Sequence, residues 1–230
     1  MRFMDSIFSF GLRTVRLSVV VLFPLLFACV AGSVRADDGF RPLFNGVNLT
    51  GWVAAGGHGM DWRVEEGVIA VDRRGSEGAR ILHTHQTFRD FELKLEFKIG
   101  EGGNSGVFFR LDGQGHGLEI QLLDDGADRH ANLQPWQYSG SLYGLDAPMV
   151  RASGRAGEWQ SLHLRLAGQN LLVVLNNILI VESDLARHLA DGAHENWHPL
   201  LERREGHIGL QNYGRPMRFR NIMIRELNVD

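Results

Sequence analysis

Nine residues from Phe91 to Ile99 alternate apolar and charged without a break: Phe, Glu, Leu, Lys, Leu, Glu, Phe, Lys, Ile. A period of two sends successive side chains to opposite faces of an extended strand, so this segment specifies a sheet with one buried and one wet face. A helix would scatter the same apolar residues around its circumference. Residues 161–166 repeat the rhythm. Residues 171–175 and 178–181 flank Asn176-Asn177 as the arms of a hairpin, and asparagine tolerates the positive φ that a two-residue turn requires. Shorter strands are expected at residues 62–64, 68–71, 107–111, 118–123, 207–211 and 219–227, with glycines and Asp/Asn pairs between them. Helical spacing is confined to residues 183–201, where Gly192 and Pro199 limit it; a loop with a short helix is expected there. Many short strands, each with one wet face, predict an all-β domain of two antiparallel sheets stacked as a β-sandwich.

The amino terminus follows other rules. Arg2, Arg13 and Arg16 precede the apolar run LSVVVLFPLLFACV, and Val34 and Ala36 occupy the −3 and −1 positions of a signal-peptidase site. Residues 1–36 are therefore expected to be a signal peptide, and residues 37–230 a single exported domain, periplasmic or secreted. A rival cut before Cys29 would give a lipoprotein with an outer-membrane lipid anchor, and an uncleaved segment would give a membrane anchor. Removing residues 1–36 changes the formal net charge from −3 to −6, leaving 20 basic and 26 acidic residues. An acidic body gives no long-range attraction to nucleic acid or to an anionic membrane. Cys29 is the only cysteine of the chain, so the exported part has no disulfide and no thiol nucleophile. No GxxxxGK[ST] or GxSxG pattern occurs, which sets aside a nucleotide site and an ordinary serine hydrolase; His194-Glu195-Asn196-Trp197-His198 carries the letters HExxH, but in a stretch expected to be a loop with a short helix and not an HExxH helix.

Residue types suited to chemistry gather in residues 118–125. Alternation sends Leu118, Ile120 and Leu122 inward and Glu119 and Gln121 to the other face, with Asp124 and Asp125 at the strand end. Residues 102–110 read as a glycine-rich loop, carrying Asn104, that feeds a neighbouring strand. There Val107, Phe109 and Leu111 point one way, and Phe108 and Arg110 the other. An aromatic ring and a guanidinium on a non-core face suit a stacked sugar whose oxygens are held in a fork; a plain Arg110–Glu119 pair is the structural alternative. His207 and Gln211 face away from inward Ile208 and Leu210, and a histidine near a carboxylate is suited to acid–base work. Trp136, Tyr138 and Tyr143 are either walls of a carbohydrate groove or caps on a sheet edge. His188, His194 and His198, spaced by six and four in the loop-like insertion with Trp197, are metal-ligand types, but the three together match no three-histidine metal signature. Asp124, Asp125 and Asp128 offer oxygens of the type calcium takes, at unspecific spacing. No cofactor is expected, calcium or another divalent metal being the alternative.

Four blocks then resemble the signatures of one family. They are LFNGVNLTGW at residues 43–52, GNSGVFFR at 103–110, EIQLLD at 119–124, and GLQNYG at 209–214 with FRNI at 219–222. In this order they resemble the 3-keto-disaccharide hydrolase domain family, formerly a domain of unknown function, over nearly the whole span from Phe40 to Leu227. The resemblance implies a concanavalin A-like jelly roll, as in lectins and glucanases, whose bent sheet cradles glycans. It also implies a glycoside-cleaving enzyme, hydrolase or lyase, acting on 3-keto-glucosides and 3-keto-disaccharides. In the glucanase relatives, catalytic carboxylates alternate along one strand. Glu119 matches such a position, but Gln121 stands where a second acid is wanted, and an amide cannot exchange a proton as acid or base. Asn212-Tyr213 stands where members often carry Asp-His.

The implied substrate supplies another route. A ketone at C3 acidifies the C2 hydrogen and places the C1 aglycone β to the enolate, so proton abstraction, elimination and hydration amount to hydrolysis. In this scheme Glu119 is the base, Arg110 holds the enolate oxygen, and His207 protonates the leaving oxygen. Gln121 and Gln211 orient hydroxyls, and Phe108, Asn104, Tyr143, Trp136 and Asp124 line the sugar site. No nicotinamide is needed in this step. A non-catalytic carbohydrate-binding module and an exported structural domain are the alternatives.

Overall fold

The computed structural model describes residues 39–55, 62–72, 81–192 and 197–228. The expected export segment with Cys29, His194 and the His198 side chain lie outside these residues. The strands in chain order are β1 (Arg41–Pro42), β2 (Trp52–Ala55), β3 (Arg63–Glu65), β4 (Val68–Val71), β5 (Ile81–Phe88), β6 (Phe91–Ile99) and β7 (Asn104–Leu111). They continue with β8 (Leu118–Leu123), β9 (Trp159–Ala167), β10 (Asn170–Leu175), β11 (Ile178–Asp184), β12 (Gly206–Gln211) and β13 (Met217–Glu226). Among the described residues they form two antiparallel sheets. The larger runs β11-β10-β9-β6-β13-β4-β3, with β1 also on β13; the smaller runs β2-β5-β12-β7-β8. This is the all-β sandwich of the concanavalin A-like jelly-roll type.

Strand β6 carries the alternation that constrained the fold, and it runs through the middle of the larger sheet between β9 and β13. Leu93, Leu95, Phe97 and Ile99 are buried, whereas Lys94, Glu96 and Lys98 stay partly exposed on the other face. On that wet face Glu96 meets Arg220 at 2.7 Å and Glu92 meets Arg225 at 2.9 Å. Phe97, Leu164 and Phe219 from the larger sheet join Val107, Phe109, Ile120 and Leu210 from the smaller in one apolar core. Each such side chain contributes roughly 1.5–3 kcal/mol through burial, and the sandwich needs no covalent staple.

The Asn176-Asn177 hairpin forms as expected, with φ of 50° and 66°, the left-handed pair of a type I′ turn. Asn176 also accepts from the Ser161 amide at 3.0 Å and donates to the Ala152 carbonyl at 2.8 Å. The segment read as a loop with one short helix contains two, α1 (Leu185–Ala190) and α2 (His198–Glu202). Asp184 caps α1 by accepting from the Ala186 amide at 2.9 Å. Strand β5 has no counterpart among the sequence expectations, although it is paired on both sides, by β2 and β12.

Candidate functional site

The smaller sheet turns its inner face to the core and carries the candidate chemistry on its outer face. Register sets five residues in one row through four cross-strand pairs: Val53 opposes His83, His83 opposes Gly209, Gly209 opposes Phe108, and Phe108 opposes Glu119. Directly opposed residues of antiparallel strands share a face. In the adjacent row Ala55 opposes Ile81, Ile81 opposes Gln211, and Gly106 opposes Gln121. Leu210 opposes Val107, which makes Gln211 the neighbour of Gly106. Glu119, Gln121, Phe108, Gln211, His207 and Asn104 are thus gathered on one face by strand pairing, as the alternation predicts.

Two glycines shape this face. A Cβ at Gly106 would collide with Glu119 Oε1 and lie 2.7 Å from its Cδ, so the Glu119 side chain folds over β7 into the space that glycine leaves. A Cβ at Gly209 would stand 2.8 Å from Leu111 Cδ2 and 3.3 Å from Phe108 Cβ. Without it, Ile81, Phe108 and Leu111 close into an apolar patch separate from the main core.

Glu119 is 9% exposed, and its carboxyl has no hydrogen-bond donor or cation in reach among the described residues. Burial alone pushes its pKa up to about 8, because desolvation disfavours the anion and nothing nearby offsets it. Its main chain is held firmly: the Glu119 carbonyl accepts from the Tyr143 amide at 2.9 Å, and Gln121 exchanges bonds with Gly140 and Ser141. That lateral strap sets Tyr143 beside β8. The Tyr143 hydroxyl accepts from Gln137 Nε2 at 3.2 Å, and the Trp136 ring meets Tyr143 edge-on at 5.3 Å. Gln121 is buried, and Gln211 Oε1 is sealed without a partner.

His207 lies in β12 at a bulge between His207 and Gly209, and its Nδ1 is sealed without a partner. Its ring packs against His83, with centroids 4.7 Å apart and planes tilted by 46°. His83 is an outer-face neighbour of His207 that the sequence analysis missed. The signal was present: in residues 81–84 the buried core residue Leu82 and the buried Thr84 alternate with Ile81 and His83. The run of polar residues that follows disguises it as a loop.

Arg110 is the main correction. Its φ of 50° interrupts β7, which turns Leu111 onto the outer-face patch and Arg110 away from it. Arg110 as a whole is 1% exposed. Its guanidinium donates to the Gly168 carbonyl at 2.6 Å and the Leu201 carbonyl at 3.2 Å, fastening β7 to the β9–β10 turn and to α2. Burial first, then the repulsion of Arg204, lowers its pKa to about 10, against an opposing pull from Asp90. Arg110 therefore holds the fold and does not share a hollow with Glu119.

Asp124 also has a structural partner, since its Oδ2 accepts from the Gly102 amide at 2.8 Å. Asp125 is engaged by the Ser139 amide at 3.0 Å and the Ser153 hydroxyl at 3.0 Å. These acids, with Asp128, Arg129, Arg151 and Arg215, border a groove of about 1280 Å³ at the end of β8. Glu119 is not in its wall. Among the described residues no group of three or more His, Cys, Asp or Glu side chains is arranged to hold a metal. His188 instead bonds Asp146 at 2.7 Å.

Residues 39–225 match the model of the 3-keto-alpha-glucoside-1,2-lyase-like domain. The chain belongs to this family. It is 28% identical over 238 residues to a 3-keto-disaccharide hydrolase of Bacteroides thetaiotaomicron, spanning 83% of this chain and 79% of the relative. A candidate glycosyl hydrolase from Parabacteroides distasonis has a similar solved structure, with 29% identity and a TM-score of 0.70 over 82% of this chain and 99% of that one. A second from the same organism is 26% identical, with a TM-score of 0.60 over 83% of this chain and 84% of the other. Family membership makes this a carbohydrate-active protein of hydrolase- or lyase-like type, with a jelly roll as its scaffold.

Proposed function

We propose that the protein cleaves 3-keto-glycosides by removing the proton from C2, with Glu119 as the group that takes it. The observation that carries the reading is the Glu119 carboxyl: buried, uncompensated by any described cation, and laid over Gly106 on the outer face of the smaller sheet. A carboxylate denied solvent and donors is a stronger base once ionised than one in water. The family match and the hydrolase relative supply the substrate class.

In the proposed sequence, the C2–H bond breaks and its proton passes to Glu119, while the electron pair forms the enolate of the C3 ketone. The enolate collapses and expels the C1 aglycone, whose oxygen takes a proton from His207. Water then adds at C1 of the resulting enone, C2 regains a proton, and a 3-keto sugar is released. With Arg110 committed to main-chain carbonyls, the amide groups of Gln121 and Gln211 are the outer-face donors available to the enolate oxygen and neighbouring hydroxyls. Phe108 supplies an apolar floor, and Tyr143 with Trp136 forms a side wall.

Purified protein incubated with 3-keto-trehalose should release 3-keto-glucose, and Glu119→Gln should abolish release. Turnover unchanged in that variant would overturn the assignment. We also propose that the enzyme works outside the cytoplasm, because residues 1–36 read as an export segment. Mass spectrometry of the exported chain should find a start at Asp37; a diacylated Cys29 would instead mark a lipoprotein.

A further inference from the structure

The outer-face patch of Ile81, Phe108 and Leu111 has Glu119 on one side. On the other stands a histidine to which the chemistry above gives no role. We propose that His83 is a further substrate-contacting residue: its Nε2 accepts a hydrogen bond from a hydroxyl of the bound sugar and so selects glycosides that retain that hydroxyl. This deepens the carbohydrate reading and rests on it.

Four features of the ring support the assignment. First, Nδ1 lies 2.9 Å from the Thr84 carbonyl. A carbonyl oxygen only accepts, so Nδ1 carries the hydrogen and the neutral ring is left with an acceptor at Nε2. Second, the ring is held neutral. It is 6% exposed, and its pKa is lowered by burial first and then by the neighbouring His207 and His85, against the raising effect of the Thr84 carbonyl. Among the described residues, the groups around it are Val53 from β2, Gly209 and His207 from β12, and His85 of its own strand, with no carboxylate among them to draw a proton onto it.

Third, Nε2 has no protein partner among the described residues, yet it is not one of the sealed unpaired atoms. An acceptor that is reachable and unmatched inside a mostly buried ring is suited to a ligand donor. Fourth, the position is built. The Thr84 hydroxyl accepts from the Ile208 amide at 3.1 Å and donates to the Gln86 carbonyl at 2.7 Å, pinning the strand that carries His83 to the bulge that carries His207. His83 and Glu119 are three strand steps apart, roughly 14 Å between backbones at ~4.8 Å per step. Glu119 leans inward over β7, so the two polar groups bracket the patch from its two sides.

His83→Phe keeps a ring against His207 and removes the acceptor, whereas His83→Gln restores an oxygen near the Nε2 position. On 3-keto-trehalose, the Phe variant should lose about tenfold in kcat/KM, the cost of one unpaired hydroxyl in a buried site, and the Gln variant should recover much of it. Among monodeoxy analogues, one should be poorer than the parent by a similar factor on the wild type and equal to it on the Phe variant. In nitrogen NMR, His83 should stay a neutral Nδ1–H tautomer from pH 6 to 8, with its Nε2 signal moving on sugar binding. A Phe variant within twofold of wild type, or a His83 imidazolium at pH 7, overturns the proposal. If the Phe variant fails to fold, the Gln variant and the NMR signal decide. If the wild type cleaves no 3-keto-glycoside, the functional reading fails separately, and His83 is judged by whether saturating trehalose shifts its Nε2 signal. No shift would end the inference.

Discussion

Glu119 occupies the space that a side chain at Gly106 would fill: a Cβ there would lie 2.7 Å from its Cδ. Opposed strands β7 and β8 set this relationship, because Gly106 and its partner Gln121 bracket the place into which Glu119 leans. Gly106→Ala should therefore push the carboxyl aside without disturbing the sheet, since the far end of a flexible side chain can move. Displacement by about 1 Å costs on the order of 100-fold in rate. Turnover should fall by about that factor while the thermal midpoint moves only a few degrees. Equal losses of activity and stability would mean that Gly106 serves packing alone.

Stability should depend on pH through Glu119. In the folded chain it keeps its proton up to about pH 8, against 4.5 for an unperturbed glutamate. Between these values the folded state binds more protons than the unfolded one. The contribution is thus fully present below about pH 4.5 and is lost as pH rises through 8. Glu119→Gln cannot ionise and escapes this loss. Its unfolding free energy should gain on the wild type between pH 5 and 8, with a limiting slope of about 1.4 kcal/mol per pH unit. Parallel curves from urea denaturation would show that the carboxyl ionises freely.

The same ionisation should govern the rate. If the anion takes the C2 proton, kcat/KM on a 3-keto-glycoside should rise with pH through an apparent pKa near 8. A rate that instead falls across that range would reassign Glu119 as the proton donor.

Arg110→Ala should unfold the protein more readily without slowing the folded molecules. The change opens a cavity and strips the Gly168 and Leu201 carbonyls of their guanidinium donor, a combination that costs about 3 kcal/mol or more. Denaturant titration measures the loss. Turnover per folded molecule should stay within about threefold; a collapse in kcat would return Arg110 to the reaction.

The hairpin turn offers a pair of opposite outcomes. Asn177 holds φ at 66°, so Asn177→Gly should be neutral or slightly stabilising. Asn176 has a left-handed φ too, but its side chain also bonds Ser161 and Ala152. Asn176→Gly should therefore lose about 1–2 kcal/mol. Thermal unfolding of the two variants separates backbone preference from side-chain bonding.

Legibility followed from how locally each feature is specified. Strand β6 and the turn at Asn176-Asn177 could be read because alternation and left-handed tolerance are properties of adjacent residues. So could the shared face of Glu119 and Gln121, for they are two positions apart on one strand. Strand β5 could not, because His85, Gln86 and Thr87 look like loop residues, and only the pairing of residues 81–84 with β2 and of Thr87 and Phe88 with β12 makes the segment a strand. Arg110 was misplaced for a related reason. Arginine rarely adopts a positive φ, and nothing in its neighbours announces the kink that carries it inward.

The linear order of residues therefore specified the class of fold, the inner and outer faces of most strands, and the outer-face position of Glu119. Folding supplied the company that glutamate keeps. It set His83 beside His207, emptied the space above Gly106, and turned the guanidinium of Arg110 toward two carbonyls. Each of these depends on which strands become neighbours and in what register, and such pairings are made between residues tens of positions apart, where no local rhythm reaches.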